Sequence, residues 1–191
     1  MPSSTREPGR SLLGRLGPRG GRLGLIAAIA GAVVILDQAS KALATHYLAG
    51  HQPTELLGGL IRLDYYRNFA GPNNIFPGHT EAISLFGILA VIVLLAIGYR
   101  VVTMLSAVVV GLMLGGAIGN LLDRLLREPG PLRGGVVDWL RLTDRTKSMN
   151  VADLAIDAAI AVMLVGAVVL WWRERGEGEA DRPRENGAAT P

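Results

Sequence analysis

The chain has 191 residues, of which 50% are hydrophobic and 18% are charged, and its formal net charge is +3. It contains no cysteine, which excludes disulfides, zinc–thiolate centres and a cysteine nucleophile. The basic N-terminal segment contains no aromatic residues, so nucleic-acid binding is not expected.

Two polar tails flank an apolar middle. Residues 1–22 combine five arginines with glycine, proline and serine, and residues 173–191 are charged and have no apolar face. Such compositions cannot bury enough apolar surface to fold. We therefore expect two disordered tails around a membrane domain at residues 23–172.

Apolar residues fall into four blocks, at 23–48, 82–97, 101–122 and 154–172. Blocks of about 20 apolar residues are long enough to cross a bilayer as helices, and the absence of strict alternation argues against a barrel. The first block runs into Asp37-Gln38-Ala39-Ser40-Lys41 rather than a small-residue cleavage site, so it is expected to be retained. The fold class predicted is membrane all-α, with four transmembrane helices.

An even number of helices leaves both termini on one side of the membrane. The N-terminal arginines, together with Arg100 in the short second turn, favour a cytoplasmic N-terminus, although six basic residues in the loop at 123–153 oppose this orientation. The loops at 49–79 and 123–153 are then on the outer side. Partial alternation at residues 60–69 predicts a short strand in the first of them.

Two charged residues interrupt the first helix. Asp37 and Lys41 stand four residues apart with the acid first, the favourable order for a helical ion pair. The pair could be structural, neutralising two charges near the membrane surface, or it could act directly in catalysis. Ser40 cannot pair with Lys41, because adjacent helical residues point about 100° apart.

The end of the third block carries a small-residue face and a polar face. Gly115 and Gly119 permit close helix contact, and we expect this face also to accommodate a substrate segment. Asn120, Asp123 and Arg124 lie at positions i, i+3 and i+4, so they share a helix face. They could form a polar helix end held by an Asp–Arg interaction, or support a catalytic carboxylate or the substrate backbone.

Two further aspartates border apolar runs. They lie in Gly135-Val136-Val137-Asp138-Trp139 and Asn150-Val151-Ala152-Asp153. A carboxylate at a membrane boundary is costly to desolvate, and two carboxyls sharing a proton can activate water and polarise a carbonyl. The chain is thus predicted to be a membrane-embedded aspartyl hydrolase.

Asp157, one turn beyond Asp153, is a rival carboxylate that could face the bundle or pair with a loop arginine. His46, His51 and His79 have no metal-ligand spacing, so neither a metal nor a cofactor is expected.

The ordered motifs at 37–41, 115–124, 135–139 and 150–153 resemble lipoprotein signal peptidase (signal peptidase II), and the resemblance covers residues 23–172. It implies an aspartyl endopeptidase of the bacterial inner membrane that cuts prolipoproteins before a diacylglyceryl-modified cysteine. It also implies a small extracytoplasmic β-cradle, an active site at the outer face, cytoplasmic termini, contact with membrane lipid and a monomeric state. The implied catalytic residues are Asp138 and Asp153, with support from Asp37, Lys41, Asn68, Asn120, Asp123, Arg124 and Asn150.

The first outer loop departs from the family pattern Asn-x-Gly-Ala-Ala-Phe. This chain has Asn68-Phe69-Ala70-Gly71-Pro72-Asn73-Asn74, in which the glycine is one place late. Asn68 is the best match, but Asn73 or Asn74 could take its place in space. The spacing between Asp138 and Asp153 is also short for the family, which leaves substrate preference open.

Two other classes of protein compete with this interpretation. A proton-coupled transporter would also hold charges at membrane depth, but near the midplane, whereas only Asp157 goes deeper here. A non-catalytic scaffold would explain the glycine face but not the two aspartate motifs.

Overall fold

A computed structural model describes residues 18–71, 77–142 and 148–180. It contains four long helices and a small sheet. The helices are α1 (Pro18–Leu48), α2 (Thr80–Arg100), α3 (Met104–Leu126) and α4 (Val151–Ala180), and the strands are β1 (Thr54–Leu56), β2 (Ile61–Asn68) and β3 (Val136–Leu142). All four helices are long and apolar enough to cross a membrane. The predicted four-helix membrane fold is confirmed.

Helix α1 begins earlier, and α4 ends later, than the tail boundaries expected from composition. Residues 18–22 and 173–180 are helical, so those segments do not belong to disordered tails. Arg19 and Arg22 anchor the start of α1 by donating hydrogen bonds to the carbonyls of Tyr99 and Val101, at 3.2 and 3.1 Å. These two hydrogen bonds therefore stabilise the N-terminal end of α1.

The strands form one antiparallel sheet in the order β1-β2-β3. The strand expected at 60–69 is confirmed as β2. A one-turn 3₁₀ segment at Leu57–Gly59 connects it to β1, and Gly58 and Gly59 adopt φ of +66° and +89°, values that glycine reaches without steric cost. The sheet lies at the end of the bundle where α1 and α3 finish and α2 and α4 begin.

Helix α3 occupies the centre of the bundle and packs closely because of its glycines. A Cβ on Gly115 would lie 2.7 Å from the Val33 Cβ of α1, and one on Gly119 would lie 2.7 Å from Asp37 Oδ2 of α1 and 3.3 Å from the Ala152 Cβ of α4. The close helix contact predicted for this face is confirmed. The expectation that the face would also accommodate substrate is wrong, because α1 and α4 already fill it.

Candidate active site

Asp138 and Asp153 line the same cavity, of about 220 Å³. Asp138 comes from β3 and Asp153 from the first turn of α4. Two further groups of residues complete the cavity. Its polar wall includes Asn68, Asn120 and Arg124, and its apolar wall includes Ile83, Phe86 and Gly87 from α2, Ala117 from α3 and Ile156 from α4. A peptide could therefore meet two carboxyls on one side and apolar helix surface on the other.

Asp138 is 1% exposed and is held by two amides. Asn150 Nδ2 donates to its Oδ1 at 2.7 Å, and Asn68 Nδ2 donates to its Oδ2 at 3.1 Å. Burial, and then the negative charge of Asp153, raise the pKa of Asp138 to about 7, while the two amide hydrogen bonds oppose the rise. A carboxyl with such a pKa can give or take a proton near neutral pH.

Asp153 is positioned by two asparagines, Asn120 and Asn150. Asn120 Nδ2 donates to Asp153 Oδ1 at 3.0 Å, and the Asp153 backbone N–H donates to Asn150 Oδ1 at 3.0 Å. The second bond makes Asn150 the N-cap of α4. Because Asn150 also bonds to Asp138, one side chain links the start of the helix to the strand that carries the other carboxyl.

Beneath the cavity lies a buried ion cluster centred on Lys41. Its ammonium contacts Asp37 Oδ2 at 2.7 Å and Asp123 Oδ2 at 3.1 Å, and all three side chains are 0% exposed. Lys41 also donates to Asn120 Oδ1 at 3.0 Å. The predicted Asp37–Lys41 ion pair is confirmed, and neither residue lines the cavity.

The two acids of this cluster hold the backbone beside each cavity carboxyl. Asp37 Oδ1 accepts the Ala152 N–H at 2.9 Å, and Asp123 Oδ2 accepts the Val137 N–H at 3.0 Å. Ala152 and Val137 immediately precede Asp153 and Asp138. The separation of the cavity carboxyls is thus coupled to a charge-balanced scaffold.

Sequence reasoning missed two members of this scaffold. Gln38 Nε2 donates to the Gly119 carbonyl at 3.0 Å and to Asp123 Oδ1 at 3.2 Å. Arg127 Nε contacts Asp123 Oδ1 at 2.8 Å. The i, i+4 spacing of Asp123 and Arg127 is a pattern that could have revealed the second pair.

Arg124 lines the cavity and is 6% exposed. Its charge interacts with Asp138, Asp123 and Asp153, but its Nη1 has no hydrogen-bond partner among the described residues. The ion pairs of Asp123 go to Lys41 and Arg127, so the suggested helix end held by Asp123 and Arg124 is not the arrangement found. Arg124 instead supplies an N–H donor at the cavity wall.

The candidates that remain are the asparagines of the first outer loop, Asp157 and a metal site. Asn68 lies against Asp138, whereas Asn73 and Asn74 lie outside the described residues. Asp157 is exposed on α4 and does not line the cavity, so the alternative in which it faces the bundle is wrong. Within the described ranges, no group of three or more His, Cys, Asp or Glu side chains could hold a metal ion.

Comparison with known proteins identifies the family. The sequence model of the family described as signal peptidase (SPase) II matches residues 29–169. The chain belongs to the signal peptidase II family. The resemblance inferred from its four motifs is therefore confirmed, and the chain is a multi-spanning membrane peptidase of a bacterial family.

Relatives from several bacteria agree with this assignment. The chain is 34% identical to the lipoprotein signal peptidase of Leifsonia xyli subsp. xyli, over 88% of this chain and 76% of that protein. It is 35% identical to that of Mycobacterium avium, over 75% and 79% of the two chains, and 37% identical to that of Mycolicibacterium smegmatis, over 75% and 60%.

Two solved structures share the fold of this signal peptidase II family member. Both are described as a bacterial membrane enzyme studied by the in meso method. The first, at 2.3 Å resolution, has a TM-score of 0.67 and 22% identity, and the match covers 76% of this chain and 88% of that one. The second, at 1.9 Å resolution, has a TM-score of 0.65 and 22% identity over 75% and 92%.

Proposed function

We propose that this peptidase is an aspartyl endopeptidase that removes signal peptides from bacterial prolipoproteins, cutting before a cysteine that carries diacylglycerol. One observation carries the proposal: Asp138 and Asp153 line one cavity, and the pKa of Asp138 is raised to about 7 by burial and by the charge of Asp153. Two carboxyls that share a proton near neutral pH are the chemical requirement of an aspartic protease.

In the proposed mechanism, one carboxyl of the pair is ionised and accepts a proton from the attacking water. The other is protonated, donates a hydrogen bond to the scissile carbonyl and later helps to protonate the leaving amine. The proton is not assigned to one member of the pair, because the charge of Asp153 contributes to the raised pKa of Asp138 and neighbouring carboxyls of this kind share their titration. The reaction needs no cofactor.

Binding groups for the substrate would come from both walls of the cavity. Arg124, whose Nη1 lacks a hydrogen-bond partner among the described residues, would donate to a backbone carbonyl of the signal peptide. Ile83, Phe86 and Ile156 would contact its apolar side chains. The acyl chains of the substrate would remain in lipid as the peptide enters laterally.

The other polar residues would act by positioning the carboxyls. Asn68, Asn120 and Asn150 hydrogen-bond to them or to the start of α4. Asp37, Lys41 and Asp123 would act one layer further away, through the backbone of Ala152 and Val137. This division of roles supports the structural alternative for Asp37 and Lys41.

The decisive experiment is cleavage of a diacylglyceryl-modified prolipoprotein by purified protein. Asp138→Asn and Asp153→Asn are each expected to lower cleavage by at least about 10²–10⁴-fold, the usual contribution of general acid–base catalysis, while the protein still accumulates in the membrane. Asp64→Asn is the matched control, because Asp64 pairs with Arg141 on the sheet and does not line the cavity. Substantial turnover by either cavity variant would eliminate the aspartyl mechanism, and proton flux without cleavage would favour the transporter.

For topology, we propose that both termini are cytoplasmic and that the cavity opens at the outer face of the inner membrane. The Arg-rich N-terminal segment supports this orientation. A cysteine introduced at Pro131, beside the cavity end of the bundle, should react with an impermeant thiol reagent in intact spheroplasts, and one at Ser11 should not. The opposite labelling pattern would invert the orientation.

A further inference from the structure

A second, apolar crevice of about 250 Å³ lies between α1 and the sheet. Its walls are Leu43, Ala44, Tyr47 and Leu48 from α1, with Leu63 from β2 and Trp139 from β3. Consecutive residues of a strand point to opposite faces, and Asp138, the residue before Trp139, lines the catalytic cavity. The crevice therefore backs onto the candidate active site without being part of it.

The mouth of the crevice belongs to a membrane-facing surface. All of its α1 residues lie within the membrane-spanning segment Arg19–Leu48. Leu43 and Tyr47 are 59% and 66% exposed, so the outer end of this long span presents apolar side chains at the level where acyl chains meet the lipid headgroups. The crevice is thus continuous with the lipid contact surface of α1.

The polar groups at its base are bonded to each other. Trp139 Nε1 donates to Ser40 Oγ at 3.3 Å, and Ser40 Oγ donates to the Asp37 carbonyl at 2.8 Å. A water molecule needs two to four polar partners to occupy a cavity stably, and these groups already have theirs. An empty apolar void, in turn, would forfeit dispersion contacts along its walls. The chemistry of the crevice therefore fits a hydrocarbon chain.

We propose that an acyl chain of a membrane phospholipid occupies this crevice and packs against the indole of Trp139. The acyl chains of the proposed substrate are attached beside the scissile bond, which would lie on the Asp138 side of β3. The occupant of the crevice is therefore a lipid of the surrounding bilayer rather than the substrate. This inference depends on the membrane fold and, in excluding the substrate as the occupant, on the proposed function, but it does not depend on the aspartyl mechanism.

Quenching of Trp139 fluorescence by brominated lipid tests the proposal. The full chain carrying Trp171→Phe and Trp172→Phe retains Trp139 as its single tryptophan, because the sequence contains three. It would be reconstituted in phosphatidylcholine vesicles with either brominated or unbrominated acyl chains. Brominated lipid is expected to quench Trp139 emission in the absence of any substrate.

Two variants on α1 test whether quenching of Trp139 requires lipid inside the crevice or arises from lipid elsewhere on the protein surface. Ala44→Leu adds a larger side chain at the wall of the crevice and is expected to abolish the quenching. Ala42→Leu adds the same atoms on α1, where the side chain is exposed and does not line the crevice, and quenching is expected to persist. If Ala44→Leu fails to fold, Leu48→Phe narrows the same crevice and is expected to give the same loss.

Three results would overturn the proposal. The first is no quenching of Trp139 by brominated vesicles. The second is equal quenching in the crevice-filling and control variants, which would mean that lipid reaches Trp139 only at its outer edge. The third is quenching only after a brominated diacylated lipopeptide is added, which would assign the crevice to the substrate.

Discussion

Two pairs of carboxyls lie close together in this protein, yet their surroundings differ. Asp37 and Asp123 both contact the ammonium of Lys41. Asp138 is instead held by the neutral amides of Asn68 and Asn150, and burial, followed by the nearby charge of Asp153, raises its pKa. A cation stabilises the ionised form of an acid, whereas burial beside another acid favours the protonated form.

The comparison explains how one end of the bundle supports two uses of aspartate. The pair around Lys41 shares one ammonium and accepts backbone N–H groups from Ala152 and Val137. The proposed catalytic pair must instead change protonation during each turnover. Fixed charges therefore position the backbone, and the adjacent acids can exchange a proton.

The largest effect is expected from removing the cation that distinguishes the two pairs. Lys41→Met would leave Asp37 and Asp123 buried without their shared ammonium, and breaking a buried pair in this way costs about 3–5 kcal/mol. Thermal unfolding in detergent would measure the loss. Arg133→Met is the control, because its ion pair with Glu81 is 65% and 52% exposed and is worth at most about 1 kcal/mol. Equal stability of the two variants would contradict the scaffold role.

A smaller effect is expected from changing the amides around Asp138. The hydrogen bond from Asn68 stabilises the ionised carboxylate and so lowers its pKa. Asn68→Ala should therefore raise the pKa of Asp138 further above about 7, and the carboxyl pair should keep its shared proton to higher pH. The alkaline limb of the kcat/KM profile is expected to move to higher pH. An unchanged limb, or one moved to lower pH, would show that Asn68 does not tune this carboxyl.

The smallest effect is expected at Asp157, which belongs to neither pair. Its side chain points away from the bundle on the spanning part of α4 and does not line the cavity, so its replacement removes no contact to either pair, and substitutions away from such contacts usually change free energies by no more than about 0.5 kcal/mol. Asp157→Asn should therefore retain activity within about twofold, measured on a fixed lipopeptide substrate beside Asp153→Asn. A folded but inactive Asp157→Asn, together with an active Asp153→Asn, would reverse the assignment of the second carboxyl.

Sequence patterns predicted the elements more completely than the contacts between them. Four long apolar blocks specified four helices, and alternation at 60–69 specified β2. Strand β3 was missed because Val136-Val137-Asp138-Trp139-Leu140 is almost continuously apolar and lacks the alternation of a half-buried strand. The glycines of α3 predicted a close contact, but a small-residue pattern does not reveal that α1 and α4 supply the partner surfaces.

For the candidate site too, sequence patterns predicted which residues belong to it better than they predicted the contacts between those residues. The motifs identified Asp138 and Asp153 as candidates, and the i, i+4 spacing identified the Asp37–Lys41 pair. Spacing could not predict that Asp37 would bond to the backbone of Ala152, because that contact depends on how the first and last helices pack. Helix boundaries were also missed where arginines at 19 and 22 bond to carbonyls of another segment.

The hydrogen bond from Ala152 to Asp37 has a consequence for the order of biosynthesis. When ribosomal elongation has passed α3, the chain already contains Asp37, Lys41 and Asp123, but it still lacks Asp153 and the N-cap of α4. The carboxyl pair is therefore incomplete until the last helix has been made and has joined the first. A partly synthesised chain emerging into the membrane lacks an assembled pair, so the proposed proteolytic activity would arise only as the final span is integrated.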